Sequence, residues 1–357
     1  MKKILSIMLV AIMICTFMAA CGETPDVSNP DTSSDAPAAT LKFGLGVSAN
    51  YGSTTDADGE TNGAGEFNTT GVAVLLDAEG KIVKIDVDTA QIKTAWTSEG
   101  KVIATEELRT KYEKGMDYNM AAFGKKHDGS EGKPLEWFEQ ADAFMATVTG
   151  KTLDEAKAYM GSDEYAIGDM ATAGCTIKVG EFMNALEKAV ANAKDSAATA
   201  ADSLNVALVS ANSHSSKDAS DEADGLAQID TTIVAIVVNA EGKVVVADTD
   251  CTQGKMSFNA AGASTLDTTT AVKTKLEQGY DYNMAAFGKK HDGSEGKPLE
   301  WFEQAAEFNK ALVGKTAADF SALMGEDTYA IGDLATAGCT MAVGDMVAAA
   351  VKAATVA

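Results

Sequence analysis

The sequence predicts an α+β protein: two tandem homologous domains, each an antiparallel sheet with helices packed against it, behind a signal peptide and a disordered tether. Three observations predict it. The segment "DYNMAAFGKKHDGSEGKPLEWFEQA" occurs twice without a substitution, at Asp117–Ala141 and Asp281–Ala305. Within each copy the β-rich runs and the helical runs are segregated, which disfavours a doubly wound parallel sheet. The chain starts with Lys2 and Lys3, an apolar run from Ile4 to Met18, then Ala19 and Ala20 before Cys21, the three zones of a secretory signal.

Residues 1–20 are therefore expected to be the signal. A cysteine after small residues resembles the bacterial lipoprotein signal, which implies that the Cys21 thiol is alkylated with diacylglycerol. The expected tether, 21–40, holds three of the five prolines and almost no large apolar side chain. It cannot bury enough surface to offset its ordering entropy. As a flexible coil it would reach roughly 25 Å, and lipid anchoring is stable with two acyl chains. The expected localisation is the extracytoplasmic face of a bacterial cell membrane. A formal charge of −23 argues against nucleic acid, whose phosphates need a basic footprint.

Self-comparison places the first repeat at 41–192, a linker at 193–202 and the second repeat at 203–357. From Thr110 to about Lys188 the offset is 164 (Asp117 to Asp281), and upstream it is 162 (Gly80 to Gly242), where "VSAN" at 47–50 meets "VSAN" at 209–212. "VAVLLDAEGKIVKIDVD" and "IVAIVVNAEGKVVVADTD" read as hairpins. In "PLEWFEQADAFMATVTG", Trp137, Phe138, Ala141, Phe144, Met145 and Val148 form one helical stripe, with Pro134 suiting the first turn and Gly150 the stop. Thr152 and Glu155 make a capping-box pattern. Phe182, Leu186 and Val190 share a face of the last helix. Beyond the signal and Cys21 there are three cysteines, Cys175, Cys251 and Cys339, too few for a disulfide scaffold. Only Cys251 with Cys339 could bridge within a repeat.

Each repeat ends suggestively: "DMATAGCTIKVGEFMNALEKAV" from Asp169 and "DLATAGCTMAVGDMVAAAVKAA" from Asp333. These endings resemble the close of the FMN-binding domains of extracytoplasmic lipoproteins and electron-transfer subunits. That family ends on an Asp, a Ser or Thr, then Gly-Ala-Thr, whose last Thr accepts FMN through a phosphoester. The resemblance lays Asp169, Thr172, Gly174 and Thr176, and likewise Asp333, Thr336, Gly338 and Thr340, on the cofactor-binding pattern. Ala173 and Ala337 each insert one residue, and a Cys replaces the small Ala before the acceptor.

The resemblance implies bound FMN, covalent or loose, serving electron transfer from a membrane redox donor. The isoalloxazine would do the redox chemistry. The competing expectation is a non-catalytic surface lipoprotein whose repeats bind a partner protein, a wall polymer or a small solute. No catalytic residue and no metal site are expected: His127 with Asp128 and Glu131 supplies too few converging ligands. No Gly-x-Ser-x-Gly elbow, His-Glu-x-x-His helix or phosphate-cradling loop occurs.

Overall fold

In a computed structural model, the described residues are 39–126, 131–291 and 293–355. The expected signal, Cys21 and nearly all of the tether lie outside them, as do His127 and Asp128. Residues 38–357 cluster as one compact unit.

The first repeat contains β1 (Lys42–Thr55), β2 (Gly63–Leu76), β3 (Ile82–Trp96), β4 (Val102–Ile103), α1 (Lys111–Lys114), α2 (Met120–Phe123), α3 (Trp137–Val148), α4 (Leu153–Lys157), α5 (Gly168–Thr172), α6 (Gly180–Asn192) and β5 (Lys194–Asp195). The second follows with β6 (Ser203–Asn212), β7 (Gly225–Val238), β8 (Val244–Phe258), α7 (Lys275–Gln278), α8 (Met284–Phe287), α9 (Trp301–Leu312), α10 (Gly332–Thr336) and α11 (Gly344–Thr355). The sheets are antiparallel, ordered β4-β3-β2-β1-β5 and β6-β7-β8. An α+β fold results, as the segregated runs imply.

Strand alternation builds two kinds of core. One face of the first sheet, through Val72, Val74, Ile82 and Val87, meets Trp137 and Phe144 of α3 and Phe182 and Leu186 of α6. The second repeat does the same with Val234, Ile236, Trp301, Phe308 and Val347. The other faces pack on each other, Phe43, Leu45, Phe67 and Ile92 against Leu208, Ile229, Val237 and Met256. The layers run helices, sheet, sheet, helices, and neither sheet buries its inner face without the other repeat.

Reciprocal contacts relate the repeats by a pseudo-two-fold axis. Ala57 N–H donates to Gly262 O at 2.9 Å, and its equivalent Ala219 donates to Gly100 O at 2.7 Å. Asp56 accepts from Ser264 N–H at 2.8 Å as Asp218 accepts from Val102 N–H at 2.8 Å. Lys188 pairs with Glu277 at 2.6 Å and Lys352 with Glu113 at 2.9 Å.

Three expectations are corrected. The "VSAN" match is not a structural equivalence: Val47 lies opposite Gly71, whereas Val209 lies opposite Thr232, one residue short of Gly71's counterpart Ile233. A one-residue slip moves side chains to the opposite face, so Val47 joins the core between the sheets while Val209 packs towards α11. Helix α3 starts at Trp137, not near Pro134, because Glu136 is its N-cap in a box with Glu139. The linker at 193–202 adds structure of its own: β5 pairs with Lys42 and Phe43, Ala198 is buried, and Leu41 N–H donates to Ala198 O at 2.8 Å. Cys251 and Cys339 are free and buried, as is Cys175.

Candidate functional site

The Thr-Ala-Gly-Cys-Thr turn follows α5 and α10. At Gly174 φ is +109° and at Gly338 +108°, a region that favours glycine. A Cβ there would also sit 2.5 Å from Leu135 Cδ1 or 2.7 Å from Leu299 Cδ1. The turn is thus pressed against the end of the duplicated segment. That segment also holds it: Gln140 Oε1 accepts the Thr176 N–H at 2.8 Å, and its Nε2 donates to Leu135 O at 2.8 Å and Met120 Sδ at 3.2 Å. Gln304 repeats the arrangement on Thr340, Leu299 and Met284. The duplicated segment therefore acts as the brace of the turn within its own repeat.

The structure separates the candidate residues into two groups. Asp169, Thr172, Asp333 and Thr336 are exposed. The Thr172 hydroxyl is used locally, donating to Gly168 O at 3.1 Å, and Thr336 donates to Gly332 O at 3.0 Å. Gly174 with Thr176, and Gly338 with Thr340, lie beneath the brace. Thr176 is only 4 % exposed and Thr340 3 %. As they stand, both hydroxyls are closed to an approaching enzyme. The buried thiols beside them, Cys175 and Cys339, are pushed up to about 12 and about 11 by desolvation, so they are poor nucleophiles at neutral pH.

The twin hydroxyls differ. Thr176 Oγ1 donates to Gln140 Oε1 at 3.3 Å, whereas Thr340 Oγ1 is buried with no hydrogen-bond partner. Thr340 borders a cleft of about 290 Å³ whose wall includes Met284, His291, Gln304 and Tyr329. The His291 and Tyr329 rings stack at 3.6 Å and 18°, which puts an aromatic pair in that wall. Sequence reading missed Gln140, Gln304 and Tyr329. A glutamine on an otherwise apolar helical stripe was the available signal.

A second shared feature is a caged lysine. Lys111 Nζ lies 5.1 Å from the Tyr118 ring centroid and 5.4 Å from that of Trp137, and Lys275 repeats this with Tyr282 and Trp301 at 5.0 and 5.4 Å. Such contacts favour a cation. Burial nonetheless holds Lys111 down to about 8. Lys275 is raised instead: burial opposes its charge, but Cys251, Tyr282 and Asp230 outweigh it. Trp137 and Tyr118 are thus committed to the lysine. Among the described residues no group of three or more His, Cys, Asp or Glu is placed to hold a metal ion.

Comparison with protein-family models, with curated proteins and with solved structures gives no match for this chain.

Proposed function

We propose that this chain is an extracytoplasmic, lipid-anchored binding protein whose second repeat takes a small flat solute in the cleft beside Thr340. The observation that carries the reading is the unpaired, buried hydroxyl of Thr340, a residue that borders a cleft with an aromatic pair in its wall. A buried hydroxyl without a partner costs about 1–3 kcal/mol, and a ligand offering an acceptor offsets that cost. At about 290 Å³ the cleft is at the lower end of small-molecule pockets. It suits one ring system rather than a whole nucleotide.

The family resemblance makes a flavin-type ring the first candidate, held reversibly because the acceptor hydroxyls are buried. Anchoring through Cys21 rests on the signal pattern. A second reading, covalent FMN on Thr176 and Thr340 passing electrons from a membrane donor, is favoured by the turn's match to the flavin-acceptor pattern. It requires the Gln140 and Gln304 braces to open.

One purification separates the readings. The mature protein is made in a host with flavin transferase, its Thr176 and Thr340 peptides are weighed, and the colourless form is titrated with riboflavin and FMN. Flavin quenching that Thr340→Val abolishes supports the reversible site. An FMN mass increment on either peptide replaces it with the covalent carrier. Unmodified mass with no quenching removes flavin altogether.

A further inference from the structure

The two edges of the seam between the repeats share equivalent residues, yet beside the paired aspartates of the strand one is plugged where the other is hollow. At the first edge the Tyr112 hydroxyl donates to Asp142, close enough to the half-buried Asp86 and the buried Asp88 to feel their charge. Asp86 also accepts the Val206 N–H across the seam at 2.7 Å. At the second edge, Leu276 and Ala306 take the places of Tyr112 and Asp142, while Asp248 and Asp250 take those of Asp86 and Asp88. The hydrogen-bonded plug is gone, and a cleft of about 360 Å³ opens with Leu276, Ala306 and both aspartates in its wall.

The cleft carries both signs of charge and an apolar surface. Asp248 and Asp250 are two residues apart on β8, so they share a face of the strand. Asn309 donates to Asp248 at 3.2 Å and accepts from the Thr249 hydroxyl at 2.6 Å, leaving acceptor capacity on the carboxylate. On the opposite wall Lys188 is already engaged, by Glu277 at 2.6 Å and by Val47 O at 2.8 Å. Lys194 is exposed at the rim, near enough to Asp248 to stabilise its charge. Phe302 lines the cleft as well.

We propose that this cleft binds a small free amino acid, its ammonium held by Asp248 and Asp250 and its carboxylate by Lys194. Charge-assisted hydrogen bonds of this kind are about twice as strong as neutral ones, and a cation beside Asp250 relieves a carboxylate that burial otherwise disfavours. The site is distinct from the cleft at Thr340 and does not depend on it.

The test is calorimetric titration of the mature full chain with glycine, alanine and lysine, with putrescine and acetate as single-charge controls. Amino acids are expected to bind, putrescine more weakly, and acetate not at all. The double substitution Leu276→Tyr with Ala306→Asp rebuilds the plug that the first repeat already accommodates. It should weaken binding at least tenfold, as should Asp248→Asn, while Thr340→Val leaves it unchanged. No heat with any amino acid up to about 10 mM, equal binding of acetate, or binding that survives both the rebuilt plug and Asp248→Asn overturns the proposal.

Discussion

Trp96 and Phe258 stack face to face, ring centroids 4.8 Å apart and planes within 4°, and they occupy the same position in their two repeats. Equivalent residues touch each other only near a two-fold axis, so this pair marks where the axis crosses the seam. Trp96 adds an asymmetric bond, Nε1–H donated to Gly262 O at 2.8 Å.

Because both inner sheet faces share one core, the repeats should unfold together. Trp96→Ala is expected to cost about 3–5 kcal/mol, from lost packing and the cavity left behind. Urea unfolding followed by the fluorescence of Trp96, Trp137 and Trp301 separately, in variants retaining one tryptophan, should give a single midpoint. Two midpoints would show that the seam does not couple the repeats.

The close approach of β1 to α6 yields a sharper contrast. A Cβ on Gly46 would lie 2.0 Å from Ala185 O, and one on Gly44 2.1 Å from Ala189 O. These are backbone atoms, which cannot swing aside, so Gly46→Ala should cost about 2–3 kcal/mol. Ala207 stands at the equivalent place of β6, and there Ala207→Gly should cost only about 1 kcal/mol. Denaturant midpoints of the two variants check the asymmetry.

The same glycines explain what was legible in the sequence. The hairpins of β2 with β3 and of β7 with β8 announce themselves through Val and Ile runs around Gly80 and Gly242. Strand β1 does not, because Gly44 and Gly46 lower its strand propensity for the sake of a helix far along the chain. The "VSAN" identity misled for a related reason: letters carry no register, which is set by what each face must bury. Of the candidate site, the positive-φ glycines and the twin threonines were readable. The burial of the hydroxyls was not, since Gln140 and Gln304 brace the backbone N–H groups of Thr176 and Thr340 from 36 residues away in sequence.

Thr176 and Thr340 should respond oppositely to one substitution. Thr340→Val removes an unpaired buried hydroxyl and should stabilise the protein by about 1 kcal/mol. Thr176→Val removes a hydroxyl bonded to Gln140 and should destabilise it by a similar amount, about 1 kcal/mol. Thermal unfolding of both variants without added ligand tests this. A loss of stability in Thr340→Val would mean that the hydroxyl has a partner in solution.

The buried aspartates of the seam set a pH dependence with a definite sign. Burial raises Asp250 from 3.8 to about 7 and Asp88 from 3.8 to about 6. The Thr274 hydroxyl, and the backbone N–H groups of Cys251 and Leu276 donating to Asp250 at 2.7 and 3.2 Å, only partly oppose this. A raised carboxyl keeps its proton in the folded chain after the unfolded chain has lost it. Its contribution is therefore most favourable near pH 4 and is lost progressively as the pH climbs to about 7 for Asp250, beyond which it is constant. The loss is on the order of 4 kcal/mol for Asp250 and 3 kcal/mol for Asp88. Asn at 250 cannot ionise and can still accept from both N–H groups, so Asp250→Asn should flatten the fall in stability between pH 4 and 7. Urea midpoints across that range, wild type against variant, measure the difference. Parallel curves would mean that Asp250 is ionised across this range in the folded chain as it is in the unfolded one.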